Sequence, residues 1–225
     1  MKYSNIYRAA FLSRPNRFIA YCRLESGEEI RCHVKNTGRC RELLTPECTV
    51  LLEKSDNPNR STAFDLVAVY KGERLINMDS QAPNRAAAEF LPDFYQGCTL
   101  LRPEYTYESS RFDFYLERPG EHRLIEVKGV TLEENGHTRF PDAPTLRGLR
   151  HVEELITARQ RGMAATLLFV IQMEGVTDFS PNDDTQPAFR AALQRAAAAG
   201  VELLAFDCRV KEDQMTLQSP VPILL

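Results

Sequence analysis

Arg111-Phe112-Asp113-Phe114-Tyr115-Leu116-Glu117-Arg118-Pro119-Gly120-Glu121-His122-Arg123-Leu124-Ile125-Glu126-Val127-Lys128 is the stretch whose reading decides the fold. Two segments of period-two alternation flank a Pro-Gly turn, the pattern of a β-hairpin. On the first strand Phe112, Phe114 and Leu116 share one face, and Arg111, Asp113 and Tyr115 share the other. On the second, Ile125 and Val127 share a face opposite to Leu124, Glu126 and Lys128. A turn centred on Pro119-Gly120 places Asp113 directly across from Glu126. Directly opposed residues have Cβ atoms about 5 Å apart, and like charges there repel. A divalent cation such as Mg²⁺ or Mn²⁺ removes that repulsion, because both prefer carboxylate oxygens. Lys128 lies one pleat further along the same face. Asp followed by Glu-x-Lys therefore points to metal-assisted phosphodiester chemistry, with Asp113, Glu126 and Lys128 as candidate catalytic residues. The plain alternative is a solvated sheet face with one ion pair, because short motifs match by chance.

Outward from the hairpin, the chain has 225 residues, 43% hydrophobic and 26% charged, the make-up of a folded soluble protein. No apolar run approaches the roughly 20 residues of a membrane span, and Met1 to Phe11 lacks a signal-peptide core. The expectation is a cytoplasmic protein with no membrane partner. None of the six cysteines forms a close C-x-x-C pair, so zinc is weakly supported. Net charge is −3, which does not announce a nucleic-acid partner, but its distribution is uneven. Residues 1–45 hold nine Lys or Arg against four Glu. Such asymmetry hints at a polyanion, although scattered arginines also simply solvate a β-surface.

Residues 6–77 alternate in short strands separated by turns, which predicts a small barrel. Expected strands are 6–12, 17–24, 29–34, 49–53, 63–70 and 74–78, with Phe18, Ala20, Cys22 and Leu24 on one face and a short helical stretch at 39–44. Asn36-Thr37-Gly38 is a turn, with two readings open: a Gly at positive φ, or backbone N–H groups offered to a phosphate. Beyond Ser80 the pattern changes to helices and strands. A helix is expected at 83–91 with Asn84 as a possible N-cap, then the hairpin, a loop-like segment 129–143, and a helix from Pro144 to Arg161 stopped by Gly162. On that helix Leu149, Val152 and Ile156 make the buried stripe, and Arg147, His151 and Glu154 a polar face. Strands at 166–171 and 201–206 around a helix at 187–199 form a βαβ unit. Asp142 either reaches the outer shell of a metal or caps the helix before Pro144.

Four ordered motifs carry a resemblance: Asn36-Thr37-Gly38, Ser110-Arg111-Phe112-Asp113-Phe114, Ile125-Glu126-Val127-Lys128, and Phe140-Pro141-Asp142-Ala143-x-Thr145-x-Arg147-Gly148-x-x-His151. Together they resemble the sugar fermentation stimulation protein A family across essentially the whole chain. The resemblance implies an α+β protein of two domains. These are an OB-like β-barrel (1–81) and a PD-(D/E)XK, restriction-endonuclease-like mixed α/β domain (82–225). It implies DNA binding linked to regulation of sugar metabolism, and nuclease activity by fold alone. One departure is Lys35, where the family often has Pro before Asn-Thr-Gly. In nuclease folds of this kind the first helix commonly supplies a metal ligand. Glu89 is the matching position, and an exposed helix glutamate is the equal alternative.

The resulting expectation is a metal-dependent nuclease with Mg²⁺ or Mn²⁺ on Glu89, Asp113 and Glu126. Arg14, Arg17, Lys35, Asn36, Thr37, Arg39, Arg41, Arg147 and His151 would contact nucleic acid, with stacking on aromatics such as Tyr21. The rival is a non-catalytic DNA-binding regulator that keeps the nuclease fold. A small-molecule binder ranks last, for want of a Gly-rich phosphate loop.

Overall fold

The structure, a computed structural model, describes every residue except Thr37. It divides into two compact units. Unit 1 is Met1–Ala82 with Gln172–Glu174 and Cys208–Thr216, and unit 2 is Pro83–Ile171, Gly175–Asp207 and Leu217–Leu225. A single cut in the sequence therefore does not describe the division, because the chain returns to unit 1 twice. Backbone hydrogen bonds fix those returns: Asn77 N–H donates to Gln172 O, Cys208 N–H to Met173 O, and Met215 N–H to Met1 O. Among the described residues no helix is long and apolar enough to cross a membrane.

Unit 1 is built from β1 (Ile6–Ser13), β2 (Ile19–Leu24), β3 (Glu29–Val34), β4 (Thr49–Lys54), β5 (Phe64–Lys71) and β6 (Arg74–Asn77). Their order is β3-β2-β1-β4-β5-β6, and a parallel pairing of β3 with β5 closes the first five into a barrel. This is the expected OB-like barrel, with β6 added beside β5. Closure removes sheet edges and encloses Ala20, Cys22, Cys32, Val50, Leu52, Leu66 and Val69, all fully buried. The inner face of β2 is shorter than its alternation implies. Leu24 is only partly buried and Phe18 is exposed, because β2 starts at Ile19, after a turn tied by Asn16. The expected helical stretch at 39–44 is a run of turns.

Unit 2 contains α1 (Ala82–Phe94), β7 (Leu100–Tyr107), β8 (Ser110–Arg118), β9 (Glu121–Val130), β10 (Leu132–Glu134), β11 (His137–Phe140), α2 (Leu146–Gln160), β12 (Ala164–Ile171), β13 (Asp178–Pro181) and α3 (Pro187–Ala198). β14 (Glu202–Lys211) and β15 (Gln214–Pro220) complete a sheet of order β15-β14-β12-β9-β8-β7. β7, β8 and β9 pair antiparallel, while β9, β12 and β14 pair parallel. Parallel neighbours need crossovers, which α2 and α3 supply. Thr166 and Phe169 of β12 point to opposite faces. Tyr95, just past α1, bonds Thr166, and Phe90 and Phe94 of α1 pack tilted and edge-on against Phe206, so α1 covers one face. Phe140, Phe179 and Phe189 of α3 cluster around Phe169 on the other.

Two expectations change here. The segment 129–143 is not loop-like, because β10, β11 and β13 form a small separate sheet. The second helix starts at Leu146 rather than Pro144, since Thr145, in an extended conformation, is its cap.

Candidate active site on the 111–128 hairpin

The β8–β9 ladder runs from Arg118↔Glu121 to Phe114↔Ile125, the register set by a turn at Pro119-Gly120. Gly120 takes φ +76°, where a side chain would be strained. Backbone pairing stops one residue before Asp113 and Glu126. There the Asp113 side chain takes over: its Oδ2 accepts the Val127 N–H at 2.7 Å. Its Oδ1 accepts from Asn84 Nδ2 of α1, also at 2.7 Å. A buried amide that lost its ladder partner is thus satisfied by a carboxylate, and the carboxylate is fixed in place. Burial, then the nearby Glu126 charge, push the Asp113 carboxyl above its ordinary range against these donors.

Glu126 is 3% exposed. Lys128 Nζ lies 2.5 Å from its Oε1, and His151 Nδ1 bonds the same oxygen. Burial acts to raise the Glu126 carboxyl, but the His151 bond and the Lys128 charge outweigh it and hold the group below its ordinary range. Arg147 Nε approaches His151 Nε2 at 3.3 Å. Arginine can only donate, so Nε2 is the acceptor and the ring proton sits on Nδ1, aimed at Glu126. The local sequence explains this placement. Thr145 Oγ1 accepts the Gly148 N–H at 2.9 Å, which starts α2. A Cβ on Gly148 would lie 2.8 Å from Thr145 Cγ2, so the tight cap requires glycine there. Arg147 and His151 then stack one turn apart.

The expected constellation is partly reassigned. Asp113, Glu126 and Lys128 come together. His151, expected on a polar face against phosphate, is buried and holds Glu126 instead. Arg147 is exposed, as is Asp142, which does not cap α2. Glu89 is exposed on α1, and Asn84 is the α1 residue that reaches Asp113. Five residues turn a helix by about 140° beyond a full revolution, so the two cannot share a face. Asn84 also lies inside the helix and is not its N-cap. Among the described residues no group of three or more His, Cys, Asp or Glu is arranged as a metal cage. The Asn84 contact was missed because the first-turn Asn reads equally well as a cap.

In unit 1 the basic candidates separate into two kinds. Arg14 is turned inward: Nη1 donates to Arg39 O, and Nη2 to Arg17 O and Asn36 O, at 2.7–2.8 Å. Lys35 sits 3.2 Å from the fully buried Asp79 and 3.6 Å from Glu53. Asn36 closes its own turn through Gly38 N–H and donates to Met78 O. These three hold loops in place, a role that charge type alone does not reveal. Thr37 lies outside the described residues. Arg17, Arg39 and Arg41 are exposed and line, with Arg14 and Asn16, a cleft of about 520 Å³.

The fold and both regions have counterparts elsewhere. A family model described as the SfsA N-terminal OB domain matches residues 12–78, and one described as the sugar fermentation stimulation protein RE domain matches 81–214. A sugar fermentation stimulation protein homolog of Clostridium beijerinckii is 49% identical over 227 residues, covering 100% of both chains. Another from Ruminiclostridium cellulolyticum is 51% identical with the same coverage. The solved structure of Pyrococcus furiosus SfsA in complex with Ca²⁺ superposes with a TM-score of 0.88. It covers 100% of this chain and 98% of its own, at 24% identity, which is a likeness of fold. With both domain models matched in order and relatives near half identity over full length, the chain belongs to the sugar fermentation stimulation protein family.

Proposed function

We propose that the chain binds nucleic acid, DNA by preference, and carries a divalent-metal-dependent phosphodiesterase site on the 111–128 hairpin. The observation that carries this reading is the fixed Asp113 carboxylate beside buried Glu126, with the Lys128 ammonium 2.5 Å from Glu126. The donor set fits Mg²⁺ or Mn²⁺. An ionised carboxylate offers about four lone-pair sites, and the bonds described use two on each. Mg²⁺ is commonly held by one or two carboxylates and completed by water and phosphate oxygens. The related Pyrococcus furiosus protein was solved with Ca²⁺, a cation of the same oxygen-seeking class. When bound, such a cation polarises a phosphate ester and lowers the pKa of a bound water. The chain's own residues orient the site. Asn84 and the Val127 amide aim Asp113, and His151 aims Glu126. Lys128 offers positive charge where a phosphate gathers negative charge. The family's name connects such a protein to the regulation of sugar metabolism.

One observation favours a second reading, a DNA-binding regulator without turnover. Glu126 is already paired with Lys128 and hydrogen-bonded by His151. Labelled single- and double-stranded DNA incubated with the protein in Mg²⁺, Mn²⁺ or EDTA separates the two. The expected result is cleavage with metal, none in EDTA, and none for Asp113→Asn, which also loses Mn²⁺ binding in calorimetry while still binding DNA in EDTA. DNA binding without cleavage under every condition selects the regulator. Absence of binding sinks both.

A further inference from the structure

Four arginines line one cleft of unit 1, and their charges are handled unlike those of several arginines elsewhere in the unit. Arg8, Arg23 and Arg60 of the same unit are ion-paired with Glu212, Glu47 and Asp65. Arg14, Arg17, Arg39 and Arg41 have no carboxylate partner among the described residues. Arg14 is bound only by neutral carbonyls, so its charge stays uncompensated beneath the cleft. Its Nε is the buried side-chain nitrogen without a partner among the described residues. Like charges gathered without counter-charge raise the local potential, a standing cost that an arriving polyanion removes.

Phe18 stands beside this cleft's 14–17 loop. The residue is 55% exposed, the most of any phenylalanine or tyrosine described. Its backbone, in contrast, is pinned. The Phe18 N–H donates to Asn16 Oδ1 at 2.9 Å, the Ile19 N–H to the same oxygen at 3.0 Å, and Phe18 O accepts the Val34 N–H at 2.8 Å. Arg14 holds the Arg17 carbonyl one residue earlier. An exposed aromatic on a fixed backbone is a pre-ordered stacking platform. The face of a base is free to stack only when the base is unpaired, since a duplex presents phosphate and groove edges.

We infer that this rim of unit 1 binds single-stranded nucleic acid, with one base stacked on Phe18, phosphates on Arg17, Arg39 and Arg41, and Arg14 as the internal clamp that sets their spacing. The inference rests on the nucleic-acid reading above and adds strand form and a base contact to it. It is tested with the full chain in EDTA, by fluorescence anisotropy, using a labelled oligothymidine, a duplex of equal length and an abasic single strand. The oligothymidine binds more tightly than the duplex. Phe18→Ala weakens it by roughly 5- to 150-fold, the range for losing one base stack. Phe18→Trp restores it, and neither substitution changes the slope of log affinity against log salt. On the abasic strand Phe18→Ala has no effect. Arg39→Ala instead flattens the salt slope on all three probes. Equal affinity for oligothymidine and duplex, or an oligothymidine affinity that ignores Phe18→Ala, overturns this inference and leaves the nucleic-acid reading standing. No binding to any probe overturns both. Thermal melting of each variant matches wild type, because Phe18 and Arg39 are exposed.

Discussion

The 14–41 cleft and the 111–128 hairpin treat charge in opposite ways. In the cleft, four arginines lack carboxylate partners among the described residues and three of them are exposed. On the hairpin, every charged group of the candidate site is engaged and the central carboxylate is buried. Open positive charge suits a partner that arrives with its own counter-charge and is read through phosphate. Enclosed, compensated carboxylates suit chemistry, where orientation matters more than long-range attraction. The same contrast predicts where substitutions act: on stability in the hairpin, on salt-dependent affinity at the exposed arginines of the cleft.

The strongest way to break the comparison is His151→Ala. It removes one of the two groups bonded to buried Glu126 and leaves a void under α2. Loss of a hydrogen bond to a charged group costs about 1.5–3 kcal/mol, the void adds to it, and urea unfolding reads the sum. A loss below about 1 kcal/mol, the range of exposed pairs, would mean that Glu126 is solvated and the two regions do not differ as described. Arg14→Ala comes next. Three bonds from a charged donor to backbone carbonyls disappear, and about 1.5–3 kcal/mol follows from losing even one such bond. Arg17→Ala, by contrast, stays within about 0.5 kcal/mol, as exposed positions do. Equal effects for the two would return Arg14 to the group of exposed cleft arginines.

The smallest effect is an acid limb on the hairpin turn. The Arg123 side-chain bond, opposed by burial and reinforced by Arg118, lowers the Glu121 carboxyl from 4.5 to about 2. A depressed folded-state pKa means that its stabilisation is complete above the unfolded value and is lost as pH falls from about 4.5 to about 2. Because the cluster is partly solvated, the change is about 1 kcal/mol. Glu121→Gln removes that part of the slope in a pH series of urea midpoints. An unaltered slope places the acid sensitivity of unit 2 in other carboxylates.

Much of the architecture was legible because it is periodic. Alternation marked all six strands of unit 1 to within two residues, and the Pro-Gly turn implied the hairpin register that the ladder follows. Short elements were the harder part. β10, β11 and β13 have three or four residues each, too few for alternation to register, and they are stabilised by pairing with one another. β7 carries Pro103 and an exposed face, which interrupt its alternation, and β8 supplies its ladder.

The sequence by itself determined that Asp113, Glu126 and Lys128 share one face of a hairpin, since strand parity is a local consequence of chirality and pleat. It also determined a basic N-terminal segment, since charge is additive along a chain. Only the tertiary structure decided what each group meets. Asn84 rather than Glu89 reaches Asp113, His151 is buried against Glu126, and Arg14, Lys35 and Asn36 turn inward while Arg17, Arg39 and Arg41 stay outside. The physical reason is that a hydrogen-bond partner tens of residues away is selected by three-dimensional closure of barrel and sheet. Residue type and spacing state only what a side chain is able to bond, and the fold settles which groups come within 3 Å of it.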